Sequence, residues 1–505
     1  MANTNRRFLS WDAKFTRRNE GLYPAESDKV VTFPGRNRVE SFLMYCGHRL
    51  MPVQYSHAAL REFLARDPLG VAKLEGTVLM MDESQDAEKT VLMDERRDPS
   101  RLNTSSSRYW AEYTQYPPEG EAIRSEALGA KGLYDVLKKK RDKLGKGMPE
   151  RRTIYIRDIS PLCALALALP VAARYAVALR EFLFRYITCR AFFGVTIDHH
   201  IRPFSTYAFE FHIPFFALRS SIPGVSSSVS HLNRRKGEFQ ASFSACAGDE
   251  REFYHEVQTS VLLVGIDEWV WTVYCLVETH HSETGPEDVS EYIKYGTDAP
   301  SGQGVDSSMP IWNPREYFLL ILSRRMSEVR FEWANLVQTL EARFKVLEQD
   351  IFLGPSTEQR SSQDDDLQFT NDYTWAIQVL QLFSTQIIKT IEAWDEFADR
   401  HLHIFRAVDT PADFLPKIPG YLESLDTDVS ELRFLYRTIV RQIGAFESKR
   451  SNILNTSALV EARASNSQAD NIGLLTKVTV FYLPLGLITS SAWPSYPRIS
   501  TGAFM

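Results

Sequence analysis

The chain has 505 residues, a net charge of −6 at neutral pH, 44% hydrophobic and 24% charged residues. That length exceeds what a single core supports, so two or three folding units are expected of an ordinary globular composition. The acidic balance argues against a nucleic-acid partner. The scattered cysteines (Cys46, Cys163, Cys189, Cys246, Cys275) form no CxxC pair, which argues against zinc or disulfide architecture and fits a reducing compartment.

Residues 1–150 are weakly patterned. The start, MANTNRRFLSWDAKF, lacks the apolar core of a signal peptide, which leaves the large N-terminal part in the cytosol if a membrane segment follows. Asp82 to Glu119 is polar, and its SRLNTSSSRYW and QYPPEGE stretches read as loop. Lys138, Lys139, Lys140, Arg141, Lys143, Lys146, Arg151 and Arg152 form a basic run, expected to be a solvated helix face and loop; contact with anionic lipid or a partner is the other reading. Gly145-Lys146-Gly147 lacks the spacing of a phosphate-binding loop.

Residues 151–310 read as an α/β domain. Thr153 to Arg157 alternates like a strand and leads into a helix over 161–188, with Ser160 as N-cap and Pro161 at the first position. Within it, Pro161 to Leu179 is long and apolar enough to rival a membrane span. The central Arg174, costing about 2.5–3.5 kcal/mol on insertion scales, favours a buried helix of a soluble domain. Tyr207, Phe209, Phe211, Ile213 and Phe215 alternate along a strand with one strongly apolar face. Two further strand-like runs, VQTSVLLV and WVWTVYCLVET, flank a Gly265-Ile266-Asp267-Glu268 break and predict a hairpin, giving a sheet of at least four strands.

Helix signals fill residues 311–471. Asn313 caps, Pro314 opens and Gly354-Pro355 ends a first long helix, with Phe318, Leu322, Met326, Val329, Trp333, Leu336 and Leu340 at helical spacing. A polar loop, PSTEQRSSQDDD, precedes a second helix near Leu367 to His403. A third starts around Asp428 and meets no breaker before Gly473. It runs into IGLLTKVTVFYLPLGLITSSA, Ile472 to Ala492, whose only charge is Lys477. At 1.5 Å per residue this segment spans about 31 Å, close to a bilayer's hydrocarbon thickness. Pro484 and Gly486 are tolerated in membrane helices, and a buried core helix is the competing reading.

Candidates for chemistry are few. Asp198, His199, His200, His212, His255, His280 and His281 lack metal-binding spacing and read as surface or loop groups; His212, opposite the aromatic stripe, reads as hydrogen-bonded and structural. Asp364, Asp365 and Asp366 read as solvated loop acids, and Asp267 as a turn residue satisfying backbone donors. With no nucleophile elbow, dinucleotide or Walker motif, the chain is expected to have no catalytic residues, no protein metal ligands and no resident cofactor, and not to be an enzyme.

Asp470 to Pro484, DNIGLLTKVTVFYLP, resembles the junction of stalk and first membrane helix in CorA-like magnesium transporters, through Leu475-Thr476, Val478-Thr479 and Leu483-Pro484-Leu485. Arg463, Ser465, Gln468 and Asp470 match the polar stalk end of fungal members, and FEFHIPFFALR (209–219) and LLVGIDEWVWTVYCLVET (262–279) resemble their cytosolic domain. The resemblance covers about 150–492. It implies an α/β cytosolic domain, long antiparallel helices and a stalk continuing into one transmembrane helix. It also implies a homopentamer in the membrane, with magnesium as transported or regulatory ion. Thr476, Thr479, Thr489 and Ser490 are the pore-side candidates, being polar within the span.

Two departures qualify this expectation. The family's Gly-Met-Asn signature is replaced by Trp493, Pro494 and Ser495, and residues 493–505, with Pro494 and Pro497, are too few to cross a bilayer again. A truncated or divergent homologue that does not conduct alone is therefore expected, the alternative being a membrane-tethered or soluble interaction scaffold. Lys477 sits near the end of the span, where its ammonium snorkels to the interface. Lys449, Arg450 and Arg463 before the segment, against Arg498 beyond, favour a cytosolic N-terminal domain.

Overall fold

The computed structural model describes residues 11–16, 37–45, 57–67, 111–116, 124–138, 151–198, 205–221, 232–239, 251–278, 292, 294–302, 305–306, 311–353, 363–406 and 417–491. In chain order these form α1 (Arg38–Met44), α2 (Ala58–Ala65), β1 (Ala111–Tyr116), β2 (Arg124–Leu128), α3 (Ala130–Lys138), β3 (Arg151–Arg157), α4 (Pro161–Ala168) and α5 (Ala173–Ile187). Then follow β4 (Phe192–Asp198), β5 (Thr206–Ser221), β6 (Lys236–Glu238), β7 (Arg251–Gly265), β8 (Trp271–Val277), α6 (Pro314–Leu353), α7 (Gln363–Arg400), a 3-10 turn (Leu402–Ile404) and α8 (Ile418–Ser491).

The chain divides into two compact units, Met1–Gly354 with Gln381–Val440, and Pro355–Leu380 with Arg441–Met505. The first is built on a mixed sheet in the order β2-β1-β3-β8-β7-β5-β4, with β6 also on β7. Only β3 and β8 run parallel, among the described strands. The β7–β8 pair is the expected hairpin: Asp267 Oδ1 accepts from the amides of Trp269 (3.0 Å) and Val270 (2.7 Å), closing the turn. Residues 111–116, in the segment read as polar and with Gln115 and Tyr116 read as loop, are a strand; β1 lies between β2 and β3, so this polar stretch belongs to the same sheet as the apolar strands.

Both sheet faces are covered. On one, α1 to α5 enclose Ile154, Ile156, Ala208, Leu262, Val264, Tyr274 and Leu276. The other carries the aromatic stripe: the rings of Phe209 and Phe211 meet Phe318 of α6 at 5.4 and 5.7 Å, and Phe193 meets Trp394 of α7 at 5.8 Å. The helix expected over 161–188 is two helices, because Pro170 has no N–H to continue the ladder. Ser160 Oγ accepts the Cys163 amide at 3.1 Å, and all of α4 except Leu162 is buried. The run from Pro161 is therefore core, as Arg174 suggested.

The basic run also splits. Arg151 lies in β3 and is buried rather than solvated: its Nη2 donates to Asp298 Oδ1 at 3.2 Å and its guanidinium stacks on Tyr317 at 4.0 Å. Arg152 is buried as well, and residues 139–150 lie outside the described residues.

Asn313 caps α6 as its position before Pro314 predicts, Oδ1 accepting from the amides of Arg315 (3.0 Å) and Glu316 (3.2 Å). Replacing Asn313 by alanine is expected to cost about 1 kcal/mol, read as a lowered thermal unfolding midpoint. In α8 the part before residue 440 buries Leu422, Leu425, Val429, Leu432 and Ile439 at helical spacing. It is held to α6 by Ser327 Oγ, which donates to Asp428 Oδ2 at 2.6 Å, and by Arg330, which pairs with Asp428 (2.8 Å) and Glu431 (2.9 Å). The helix begins ten residues before Asp428, since Pro419 falls in the first turn, where its missing N–H costs nothing.

In the second unit the start of α7 pairs with α8 beyond Val440. Tyr373 and Phe446 stack at 5.5 Å, and Arg450 Nη1 donates to Thr374 Oγ1 at 3.5 Å. Asp364, Asp365 and Asp366 fall in the first turn of α7 rather than in a loop.

Candidate functional site

The last part of α8 is the candidate membrane segment. Apart from Thr476, Lys477 and Thr479, its side chains from Ile472 to Ile488 are apolar, and the large ones are turned outward: Phe481 is 74% and Leu475 69% exposed, with Leu474, Val480, Tyr482, Leu483, Leu485, Leu487 and Ile488 alike. Among the described residues α8 alone is long and apolar enough to cross a membrane, and none of its apolar window is buried. Pro484 lies inside the helix without ending it. A helix pairs its backbone polar groups within itself, the condition a lipid environment imposes, except where Pro484 has no N–H to give the Val480 carbonyl.

The four pore-side candidates all lie in α8. Thr476 Oγ1 donates to the Ile472 carbonyl at 2.7 Å, and Thr479 Oγ1 donates to the Leu475 carbonyl, so both hydroxyls are bonded to the helix itself. By helical spacing Thr476, Thr479, Leu483, Gly486 and Ser490 fall along one face, whereas Thr489 falls about a quarter-turn away. The side chains of Thr489 and Ser490 and all of Trp493, Pro494 and Ser495 lie outside the described residues.

Inside the sheet, the polar residues interleaved with the β5 aromatics form a hydrogen-bonded chain that the sequence indicated only for His212. Arg185 of α5 donates through Nη1 to both Glu210 oxygens, at 2.8 and 2.7 Å. His212 Nε2 bonds Glu210 Oε1 at 2.7 Å, and Nδ1 lies 2.7 Å from Ser260 Oγ. Gln258 Nε2 donates to Ser260 Oγ and lies beside His212 Nδ1, both at 2.9 Å. With a carboxylate at Nε2 and an amide donor at Nδ1, the consistent tautomer carries its proton on Nε2. Burial pushes His212 below the ordinary histidine value, against the pull of Glu210. Burial alone would raise Glu210, but His212 and Arg185 outweigh it and hold the carboxyl below its ordinary value. The order serine–imidazole–carboxylate is that of a nucleophile and its base, yet His212, Ser260 and Gln258 are wholly buried, so the chain ties α5 to the sheet interior. Its sequence signal is Glu and His at i and i+2 within an aromatic strand, matched by Gln and Ser at i and i+2 in the next.

No group of three or more His, Cys, Asp or Glu placed to hold a metal ion occurs among the described residues. His199, His200, His280 and His281 lie outside them. No protein-family model matches the chain, and no curated protein matches it.

Proposed function

We propose that this chain is a CorA-like homologue of metal ion transporters, inserted in the membrane through α8, with the sheet unit on the cytosolic side. The observation that carries the reading is α8 itself. One unbroken helix packs its first two dozen residues into the sheet unit and ends in a bilayer-length stretch of outward apolar side chains. In water that surface is an unfavourable exposed patch; in lipid it is the solvent-matched surface of a span. The order sheet, two long helices, stalk and span is the one the sequence resemblance implies.

A homo-oligomer, five-fold by the same resemblance, follows from the face of Thr476, Thr479, Gly486 and Ser490, since small and hydroxylated residues let membrane helices approach closely. Turned inward, that face gives the threonine hydroxyls to a hydrated cation, with magnesium as cargo. Trp493, Pro494 and Ser495 in place of the signature remove the amide that would receive the ion, so conduction by this chain alone is not expected. One observation favours a membrane-tethered scaffold as second reading: Trp493, Pro494 and Ser495 stand where the resemblance places the ion-entrance signature.

After alkaline carbonate extraction the chain is expected to stay in the membrane pellet. In liposomes with a trapped magnesium indicator, uptake is expected to match empty vesicles. Robust magnesium or cobalt uptake would establish conduction and discard the scaffold; release from the pellet would overturn both readings.

A further inference from the structure

At the hairpin end of the sheet, six residues of the N-terminal region sit in an aromatic groove. Trp11 to Thr16 fold into a turn through bonds of their own. The Phe15 amide donates to the Asp12 carbonyl at 2.9 Å, the Lys14 amide to Asp12 Oδ1 at 2.9 Å and Thr16 Oγ1 to the Ala13 carbonyl at 2.8 Å. The turn brings the rings of Trp11 and Phe15 within 4.8 Å of each other. Trp11 meets Tyr207 at 5.0 Å and Phe209 at 5.8 Å, and Phe15 meets Tyr207 edge-on at 5.1 Å. The Arg315 guanidinium of α6 lies over the Trp11 ring at 4.8 Å, and the Glu268 amide, in the β7–β8 turn, donates to the Phe15 carbonyl at 3.0 Å. Phe15 is 1% exposed, whereas Ala13, Lys14 and Thr16 face solvent.

The walls of this groove are held by contacts that do not involve the turn. Tyr207 Oη donates to the Asp267 carbonyl at 2.7 Å, and the Tyr207 and Phe209 rings pack together at 5.1 Å. Phe209 rests on Phe318 and Phe405 at 5.4 and 5.2 Å. Arg315 Nη2 donates to Glu268 Oε1 at 3.0 Å, which joins the head of α6 to the hairpin turn. The groove is therefore built without its occupant. What fills it is a self-supporting turn that presents two aromatic rings and one main-chain acceptor, so little ordering cost is left for docking.

We propose that this groove is a docking site for a peptide turn carrying two aromatic rings four residues apart, and that Trp11–Thr16 is its own displaceable occupant, a strap across the hairpin turn and the head of α6. Phe15 supplies most of the hold, because its ring leaves water completely. Trp11 offers its face to Arg315, a cation–π contact that an aliphatic side chain does not replace. The Phe15 carbonyl on the Glu268 amide sets the position of the turn along the groove. Release of the strap bares Tyr207 and Phe209, an apolar surface that favours refilling by the strap or by an equivalent turn. A tethered strap also competes at high local concentration, which keeps weaker peptides out.

The probe is a fluorescein-labelled peptide with the sequence of residues 10–16 and Lys14→Gln, titrated by anisotropy against the full chain in detergent micelles. It is expected to bind the Trp11→Ala/Phe15→Ala chain saturably and the wild type more weakly by roughly tenfold or more, the effect of one buried phenylalanine. The same peptide with alanine at both aromatic positions is expected to bind neither chain. A peptide that binds the double variant no better than the wild type overturns the docking site, as does binding that needs no aromatic ring. If the double variant does not fold, the wild type decides through trypsin cleavage after Lys14, a bond whose next residue the seated strap keeps buried. Excess unlabelled peptide, which trypsin cannot cut, is expected to speed this cleavage saturably, and an unchanged rate overturns the displaceable strap.

Discussion

Glu210→Ala is expected to destabilise the sheet unit by about 3 kcal/mol, because it strands a half-buried guanidinium and a buried imidazole together. Arg185 gives both of its contacts at this site to Glu210, and His212 Nε2 has its bond there too. Chemical unfolding followed by tryptophan fluorescence reads the loss. A cost below about 1 kcal/mol, the size of an ordinary surface change, would mean that water already reaches these groups. Replacing Arg185, Glu210 and His212 together by apolar residues of similar size is expected to cost less than Glu210→Ala alone, since no uncompensated charge remains. The pH dependence has a definite sign. His212 lies below its ordinary value of about 6.5, so the unfolded chain binds the proton more readily, and stability falls as pH drops below about 6.5. Glu210 lies below the ordinary carboxyl range, so its contribution is full above about pH 4.5 and is lost as pH falls further. Both groups push acid unfolding in the same direction, and His212→Asn is expected to remove the higher-pH part of it.

What the sequence disclosed depends on how local each signal is. The β7–β8 hairpin was legible because Asp267 closes its own turn within three residues. The α6 start was legible because Asn313 and Pro314 act on the next two amides. Pro170 was equally local, but the apolar run on both sides masked its effect, so one helix was expected where two pack. β1 lacked any apolar run; AEYTQY becomes a strand through its neighbours β2 and β3, which sequence spacing does not report. Arg151 was read with the lysines before it, whereas its partner Asp298 lies 147 residues away. The same holds where β3 and β8 end. Asp158 and Glu278 meet because β3 and β8 are parallel neighbours in the sheet, an arrangement that no pattern in either segment encodes.

Leu483→Arg is expected to lower retention of the chain in carbonate-washed membranes by roughly 100-fold in the insertion equilibrium, from a central cost of about 2.5–3.5 kcal/mol. Leu483 is exposed near the middle of the apolar stretch, too far from either end for the guanidinium to reach an interface without deforming the bilayer. Lys477 is the internal comparison. It lies five residues into the segment, where snorkelling keeps its ammonium in the headgroup layer, so Lys477→Leu is expected to leave retention unchanged. Leu459→Arg, on an exposed turn of the same helix before the apolar stretch, controls for a general effect of added charge and is expected to do nothing. Equal retention of Leu483→Arg and Leu459→Arg would mean that residues 472–488 meet a protein surface rather than lipid. The exposed face would then be an interaction surface, and the membrane reading of α8 would fall with it.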